Sequence, residues 1–193
     1  MSELFGTDGI RGVAGEELSS RTAFALGNAL ARLKQEPLVV VGEDTRVSSD
    51  MLALALSAGV TSGGGTVLWG GVLPTAAISR FVVEKKADFG VVVSASHNPA
   101  KYNGLKVFGK DGRKLAEKQE RRVEHYMRSE YSFAGPLSMG RLNFLQGEEE
   151  YIAWLAGCCA RSLKGKKFAV DCANGAAGRI APEVFRRLGA EIV

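Results

Sequence analysis

The chain has 193 residues, 46% of them hydrophobic and 24% charged, with 25 Lys and Arg against 21 Asp and Glu for a net charge of +4. That is the balance of a soluble globular protein with room for one full domain and part of another. No apolar run approaches the ~20 residues a membrane span needs. The opening MSELFGTDGIRG lacks the basic-then-apolar pattern of a secretory leader, so the expectation is a cytoplasmic chain with no membrane partner.

Helical and strand patterns alternate from the start. Ala23, Leu26, Leu30 and Leu33 recur at helical spacing behind a cap at Ser19 or Ser20. Leu38-Val39-Val40-Val41 reads as a buried strand that ends at Gly42 and gives way to the polar loop Glu43-Asp44-Thr45-Arg46. Ser48 or Ser49 caps a second helix with Leu52, Leu56 and Val60 on its apolar face, ended by Gly63-Gly64-Gly65. A strand (66–69), a helix opened by Pro74 and running to about Lys86, a buried strand (89–93), a polar loop and a further strand (105–108) follow. A charged helix covers about 116–130, and 131–146 reads as an irregular linker.

Strands separated by helices of this length predict a three-layer α/β/α domain with a mostly parallel mixed sheet over residues 1–146, whose ligands bind beyond the carboxyl ends of its strands. The loops 44–48, 70–75 and 94–103 lie at such ends. Residues 147–193 open a second, similar unit: a helix (149–161), a strand (168–171), the loop Asn174-Gly175-Ala176-Ala177-Gly178 and a helix (181–188). So short an α/β unit buries little area alone, and Val170, Phe185, Leu188 and Ile192 call for a partner surface, so either self-association through 147–193 or a mobile tail is expected.

Positive charge is dispersed among acids. Its densest groups, Lys164-Lys166-Lys167 and Arg121-Arg122, are short and carry no interleaved aromatics, which argues against nucleic acid. The three cysteines, Cys158, Cys159 and Cys172, form no C-x-x-C pair, and neither a zinc site nor a disulfide framework is expected.

Chemistry concentrates in Val91-Val92-Val93-Ser94-Ala95-Ser96-His97-Asn98-Pro99. A buried strand delivers small polar residues to its carboxyl end, and Asn98-Pro99 turns the chain away from the sheet. Small neighbours leave room around Ser96 for a bulky substrate; the plainer alternative is a polar turn at a strand end. Ser96 and His97 are adjacent, and adjacent side chains on an extended backbone point to opposite faces, which is poor geometry for a serine and its base. The G-x-S-x-G elbow, the Walker A pattern and a G-x-G-x-x-G after a strand are all absent. Phe5-Gly6-Thr7-Asp8-Gly9-Ile10-Arg11-Gly12 is a glycine-rich turn with one arginine suited to fork onto phosphate oxygens. Tyr102-Asn103-Gly104-Leu105-Lys106 places a lysine on the strand after the serine loop, where it can act as an acid or base.

Together these segments resemble the α-D-phosphohexomutase superfamily: SASHNP is similar to its phosphoserine loop, FGTDGIRG to its N-terminal signature, Gly42-Glu43-Asp44-Thr45-Arg46 to its G-x-D-T-R segment, and Val170-Asp171-Cys172-Ala173-Asn174-Gly175 to the start of its second domain. The resemblance implies that Ser96 carries a phosphoryl group and exchanges it with a hexose or hexosamine phosphate through a bisphosphorylated sugar. It implies that Arg11 lies beside the phosphoserine, that Lys106 is the general acid or base, and that His97 adjoins the phosphate. Thr7, Asp8, Asn98 and Arg46 become candidates for phosphate or substrate contact, and Mg²⁺ would touch the phosphate on Ser96. The family's D-x-D-x-D metal loop is missing from this sequence, as are its sugar-recognition and distal phosphate loops, so the chain alone is expected to be inactive, or else to act as a non-catalytic sugar-phosphate-binding module.

Overall fold

The computed structural model describes residues 4–193. In chain order its elements are β1 (Ile10–Val13), α1 (Ser20–Leu33), β2 (Leu38–Glu43), α2 (Ser49–Ser62), β3 (Thr66–Val72), α3 (Thr75–Glu84), β4 (Phe89–Val93), β5 (Tyr102–Gly109), α4 (Glu117–Met127), β6 (Leu142–Phe144), α5 (Gly147–Gly157), β7 (Lys167–Phe168), α6 (Ile180–Arg187) and β8 (Glu191–Ile192). Six strands form one sheet in the order β1-β5-β4-β2-β3-β6, and β7 and β8 form a separate two-stranded sheet. The α/β class and the mixed sheet agree with the sequence. Strands β4, β2, β3 and β6 run parallel to one another, whereas β5 is antiparallel to both β4 and β1.

The central strands explain the two covered faces. Val39, Val40 and Val41 are all fully buried; alternation along the strand sends Val39 and Val41 to the core shared with α1, α2 and α4, and Val40 to the core shared with α3, α5 and α6. Burial of each such side chain contributes on the order of 1.5–3 kcal/mol. Helix α1 starts at Ser19, whose Oγ accepts the Thr22 N–H at 3.3 Å. It crosses α2 so closely that a Cβ on Gly27 would lie 2.1 Å from the Leu56 carbonyl oxygen, and one on Gly59 would lie 2.2 Å from that of Phe24.

Several boundaries move. The stretch 131–146 is not wholly irregular: β6 extends the sheet at its edge, too short and too polar in its flanks to register as a strand pattern. The strand expected over 168–171 contracts to Lys167–Phe168, because residues 169–171 turn toward the loop that follows. The helix expected over 149–161 occupies Gly147–Gly157. The segment Ile10–Val13 is strand β1 and not merely a turn. At its mouth Gly9 has φ +92°, and a Cβ there would meet the Leu105 carbonyl oxygen at 2.3 Å, so only glycine lets this loop lie on β5.

Residues 147–193 do not stand apart. Tyr151 and Ile152 of α5 and Ile180 at the start of α6 are buried in the same core as Leu73, Ile78 and Phe81. The seam between α3 and α5 is reinforced by Arg80 lying 4.5 Å over the Trp154 ring and by the Lys85–Glu150 ion pair at 2.5 Å. Part of the partner surface this segment calls for is therefore the first unit itself.

Candidate functional site

Beyond the carboxyl ends of β2 and β4 lies a cleft of about 430 Å³, lined by Asp44, Thr45, Arg46, Pro74, Thr75, Ser94, Ser96, His97 and, from the opposite side, residues of the 172–177 loop. Strand β4 is buried along its whole length, and its continuation Ser94-Ala95 is buried as well; exposure begins at Ser96. The Ser94 N–H is tied to the Gly104 carbonyl at 2.9 Å, and its Oγ accepts the Ser96 N–H at 3.0 Å. Ser96 then takes φ +58°, a left-handed conformation that costs a non-glycine residue roughly 1–2 kcal/mol. Such strain at an exposed hydroxyl over a cleft fits a functional position.

The left-handed turn also corrects the expectation about His97. The backbone is not extended there, and Ser96 Oγ lies 3.4 Å from His97 Nδ1, both side chains being exposed.

The two arginines differ sharply. Arg46 directs Nε to Asp44 (3.0 Å), Nη1 to the carbonyls of Pro99 (2.8 Å) and Tyr102 (3.0 Å), and Nη2 to those of Ser96 (2.9 Å) and Asn98 (2.7 Å). A guanidinium has five N–H donors, and all five are used on the protein. The expectation that Arg46 binds phosphate does not match this conformation, because the acceptors it needs are already supplied by the serine loop. Arg11 pairs with Asp8 at 3.0 Å and makes one long contact, 3.5 Å, to Asn98 Oδ1, while its buried Nε has no partner among the described residues. Arg11 is thus the guanidinium with capacity left for an anion.

Thr7 and Asp8 are exposed at the tip of the glycine turn. They share a smaller cavity, about 190 Å³, with Lys106 and not the cleft that holds Ser96. Lys106 is half-buried on β5 opposite Val92, and no hydrogen bond or ion pair engages it among the described residues. Arg11 lies on β1 opposite Gly104 and pairs with Asp8, one of the residues of the smaller cavity.

Two residues that matter here, Asn103 and Glu43, entered the sequence reading only as members of longer segments. Asn103, fully buried, donates to Ser48 Oγ (2.9 Å) and Ser49 Oγ (3.1 Å) and accepts the Gly104 N–H. Ser49 donates to Asp44 Oδ1 at 2.8 Å, so Asn103 supports the Asp44–Arg46 pair from beneath. Glu43, at the end of β2, is only 3% exposed. Burial pushes its carboxyl up to about 7; Asp50 and Asp44 add to the rise, and the Trp69 indole opposes it. Even so, Glu43 Oε2 and Trp69 Nε1 have no partner in hydrogen-bond geometry among the described residues. The alternation Val39, Val41, Glu43 placed this carboxyl on a core face, and that was the available signal.

Among the described residues no three His, Cys, Asp or Glu side chains converge as a metal site. Asp44, the nearest carboxylate in the cleft, is occupied by Arg46 and Ser49. The residues present therefore do not constitute a Mg²⁺ site. Among the described residues no helix is long and apolar enough to cross a membrane.

The site is thus an exposed, left-handed serine at the end of a buried strand of an α/β domain, faced across a cleft by a second loop. The chain belongs to the phosphoglucomutase/phosphomannomutase family: the profile of that family's alpha/beta/alpha domain I matches residues 2–133. It is 43% identical over 200 residues to phosphoglucosamine mutase of Thermoanaerobacter sp. (strain X514), and 45% identical to that of Caldanaerobacter subterraneus subsp. tengcongensis; each alignment covers 100% of this chain and 45% of the relative. The chain thus spans less than half the length of these curated relatives. Among solved structures, a phosphoglucomutase/phosphomannomutase family protein from Burkholderia thailandensis superposes with TM-score 0.85 at 27% identity, covering 99% of this chain and 43% of that one. Parafusin, a phosphoglucomutase from Paramecium, shares the fold at TM-score 0.79 and 17% identity, covering 100% of this chain and 43% of that one.

Proposed function

We propose that this chain supplies the phosphoserine side of a phosphohexomutase that interconverts glucosamine 6-phosphate and glucosamine 1-phosphate. The observation that carries the reading is Ser96: exposed, left-handed, and held over a cleft at the end of a fully buried strand. Phosphorylated Ser96 transfers its phosphoryl group to a free hydroxyl of the sugar monophosphate. The P–Oγ bond breaks, the sugar O–P bond forms, and the hydroxyl proton leaves to a base, for which Lys106 is the candidate. After the bisphosphate reorients, Ser96 Oγ attacks the other phosphorus, that sugar O–P bond breaks, and the base returns its proton to the freed sugar oxygen, which regenerates phosphoserine and releases the isomer. A phosphoserine brings about −1.5 to −2 charge, and Arg11, whose terminal nitrogens make only the Asp8 and Asn98 contacts among the described residues, is the candidate to meet it. His97, 3.4 Å from Oγ, is the candidate for contact with the phosphate, Asn98 and Asp8, which contact Arg11, are candidates to orient it, and Thr7 is a candidate for the sugar.

The glucosamine assignment follows the names of the relatives; phosphoglucomutase or phosphomannomutase activity is the alternative that the family's own name favours.

Incubating the chain with glucosamine 1,6-bisphosphate and measuring intact mass tests the reading. Ser96→Ala should abolish phosphoryl uptake completely. Ser94, two residues earlier, is the rival acceptor, but it is buried and its Oγ already holds the Ser96 N–H. Phosphate mapped to Ser94, or uptake retained by the alanine variant, would overturn the assignment.

A further inference from the structure

We infer that Arg46 is a positioning residue: its guanidinium is the hub around which the serine loop winds, fixing the left-handed turn that aims Ser96 Oγ into the cleft, and it does not bind the transferred phosphate. The inference rests on the phosphoserine reading of Ser96 for its purpose, though not for its geometry.

Four carbonyls of one loop, those of Ser96, Asn98, Pro99 and Tyr102, converge on the two terminal nitrogens at 2.7–3.0 Å. Two turns make that convergence possible. The Asn98 N–H reaches the Ala95 carbonyl at 3.1 Å, and the Tyr102 N–H reaches that of Pro99 at 3.0 Å. Carbonyls gathered on one side in this way repel one another unless a cation sits among them. The Arg46 side chain is only 12% exposed, which makes these contacts stronger than they would be at an open surface.

The hub is itself held. Asp44 takes Nε at 3.0 Å and accepts the Arg46 N–H at 3.1 Å; Ser49 donates to Asp44, and the fully buried Asn103 donates to Ser49. A chain of hydrogen bonds therefore runs from the core of the sheet to the carbonyl of Ser96 itself. Lysine cannot take this place, because an ammonium lacks the planar fork that reaches carbonyls on two sides. The contrast with Arg11 gives the inference its discriminating content. Among the described residues Arg11 has one close partner, Asp8, and one long contact to Asn98, so its terminal nitrogens keep donors for a new negative charge, whereas Arg46 is already saturated and paired with a carboxylate.

The experiment uses the full chain with phosphoserine installed at position 96 during translation, so that neither readout depends on turnover. Hydrogen exchange reports the Ser96, Asn98 and Tyr102 amides, and ³¹P NMR reports the second ionisation of the phosphate. Arg46→Lys should speed exchange of those three amides about tenfold or more, the effect of losing one or two net hydrogen bonds, and leave the phosphate titration in place. Arg11→Gln should do the reverse, raising the phosphate's titration midpoint by removal of a nearby cation while the loop stays protected. Asp44→Asn, which leaves the arginine but weakens its anchor, should speed the same amides by a smaller factor and covers the case in which Arg46→Lys does not fold. Failure of unmodified chain to take up phosphate from the bisphosphate would count against the proposed function and not against the hub. An Arg46→Lys titration shifted as far as that of Arg11→Gln, or loop exchange unchanged in both Arg46→Lys and Asp44→Asn, would overturn the inference.

Discussion

Across the cleft, the loop that carries Ser96 and the loop at 172–177 are held in opposite ways. The serine loop grows out of a strand buried on both faces, and Arg46, Ser94 and Gly104 fix its carbonyls and amides. The facing loop follows a two-residue strand and depends on internal turns, with Ala173 and Asn174 both at positive φ and Gly175 donating back to Cys172. Among the described residues its one hydrogen bond to the serine side of the cleft is from Thr45 Oγ1 to the Asn174 carbonyl, 2.7 Å. One wall is preorganised by the sheet, and the other is positioned indirectly, by α5 and α6 packing on α3. The difference teaches that in a cleft built from two units the nucleophile belongs on the more constrained wall, where strain at Ser96 can be maintained.

The largest effect should come from cutting the indirect support. Ile152 is 2% exposed and sits in the core with Phe81 and Leu73. Ile152→Ala should lower stability by about 2–5 kcal/mol in urea unfolding and make 147–193 the first segment cleaved in limited proteolysis. If cleavage there stays slow and stability falls by less than about 1 kcal/mol, the second unit does not depend on the first, and the contrast between the walls disappears.

A middle-sized effect concerns the preorganised wall. Glu43 titrates near 7 in the folded chain against 4.5 for a free carboxyl. Below 4.5 both folded and unfolded states hold the proton, so no stability is lost. Between 4.5 and 7 the unfolded state releases it first, and stability falls as pH rises; above 7 the loss is complete, on the order of 1–3 kcal/mol. Glu43→Gln should flatten that window. A wild-type curve that is already flat from 4.5 to 7 would mean that Glu43 ionises freely and that the end of β2 is not as dry as it looks.

The sequence carried the first wall better than the second, for physical reasons. Val39-Val40-Val41 and Val91-Val92-Val93 are apolar runs that only a doubly covered strand accommodates, so the sheet and the position of Ser96 were legible from them. The family motifs supplied Arg11 and Lys106 but not what each touches: Lys106 opens into the cavity of Thr7 and Asp8, and Arg46 turns inward to carbonyls. Backbone acceptors leave no mark in a sequence, and neither does a positive φ on serine, which is why an extended-backbone argument set His97 apart from Ser96 although the family resemblance put it beside the phosphate. Strand β6 escaped notice because three residues at an edge need no apolar pattern. Helix α5 was found, but its Tyr151 and Ile152 were not assigned to the core of α3, since an apolar stripe does not say which surface covers it.

The smallest effect is the most specific. Thr45 follows the aspartate that anchors Arg46, and its hydroxyl reaches across the cleft to Asn174, while neither side chain is buried. An exposed hydrogen bond of this kind contributes about 0.5–1.5 kcal/mol. Because Asn174 and Ala173 both sit in left-handed conformations, the bond holds a loop whose own backbone preferences work against its shape. Thr45→Val keeps the side-chain volume and removes only the donor. It should therefore leave the amides of Ser96, Asn98 and Tyr102 as slow to exchange as before, and speed exchange of the Gly175 and Gly178 amides by about twofold to tenfold. Equal acceleration on both sides would mean that the two loops open as one unit. No change on either side would place the control of the second wall wholly in α5 and α6, with Thr45 a bystander.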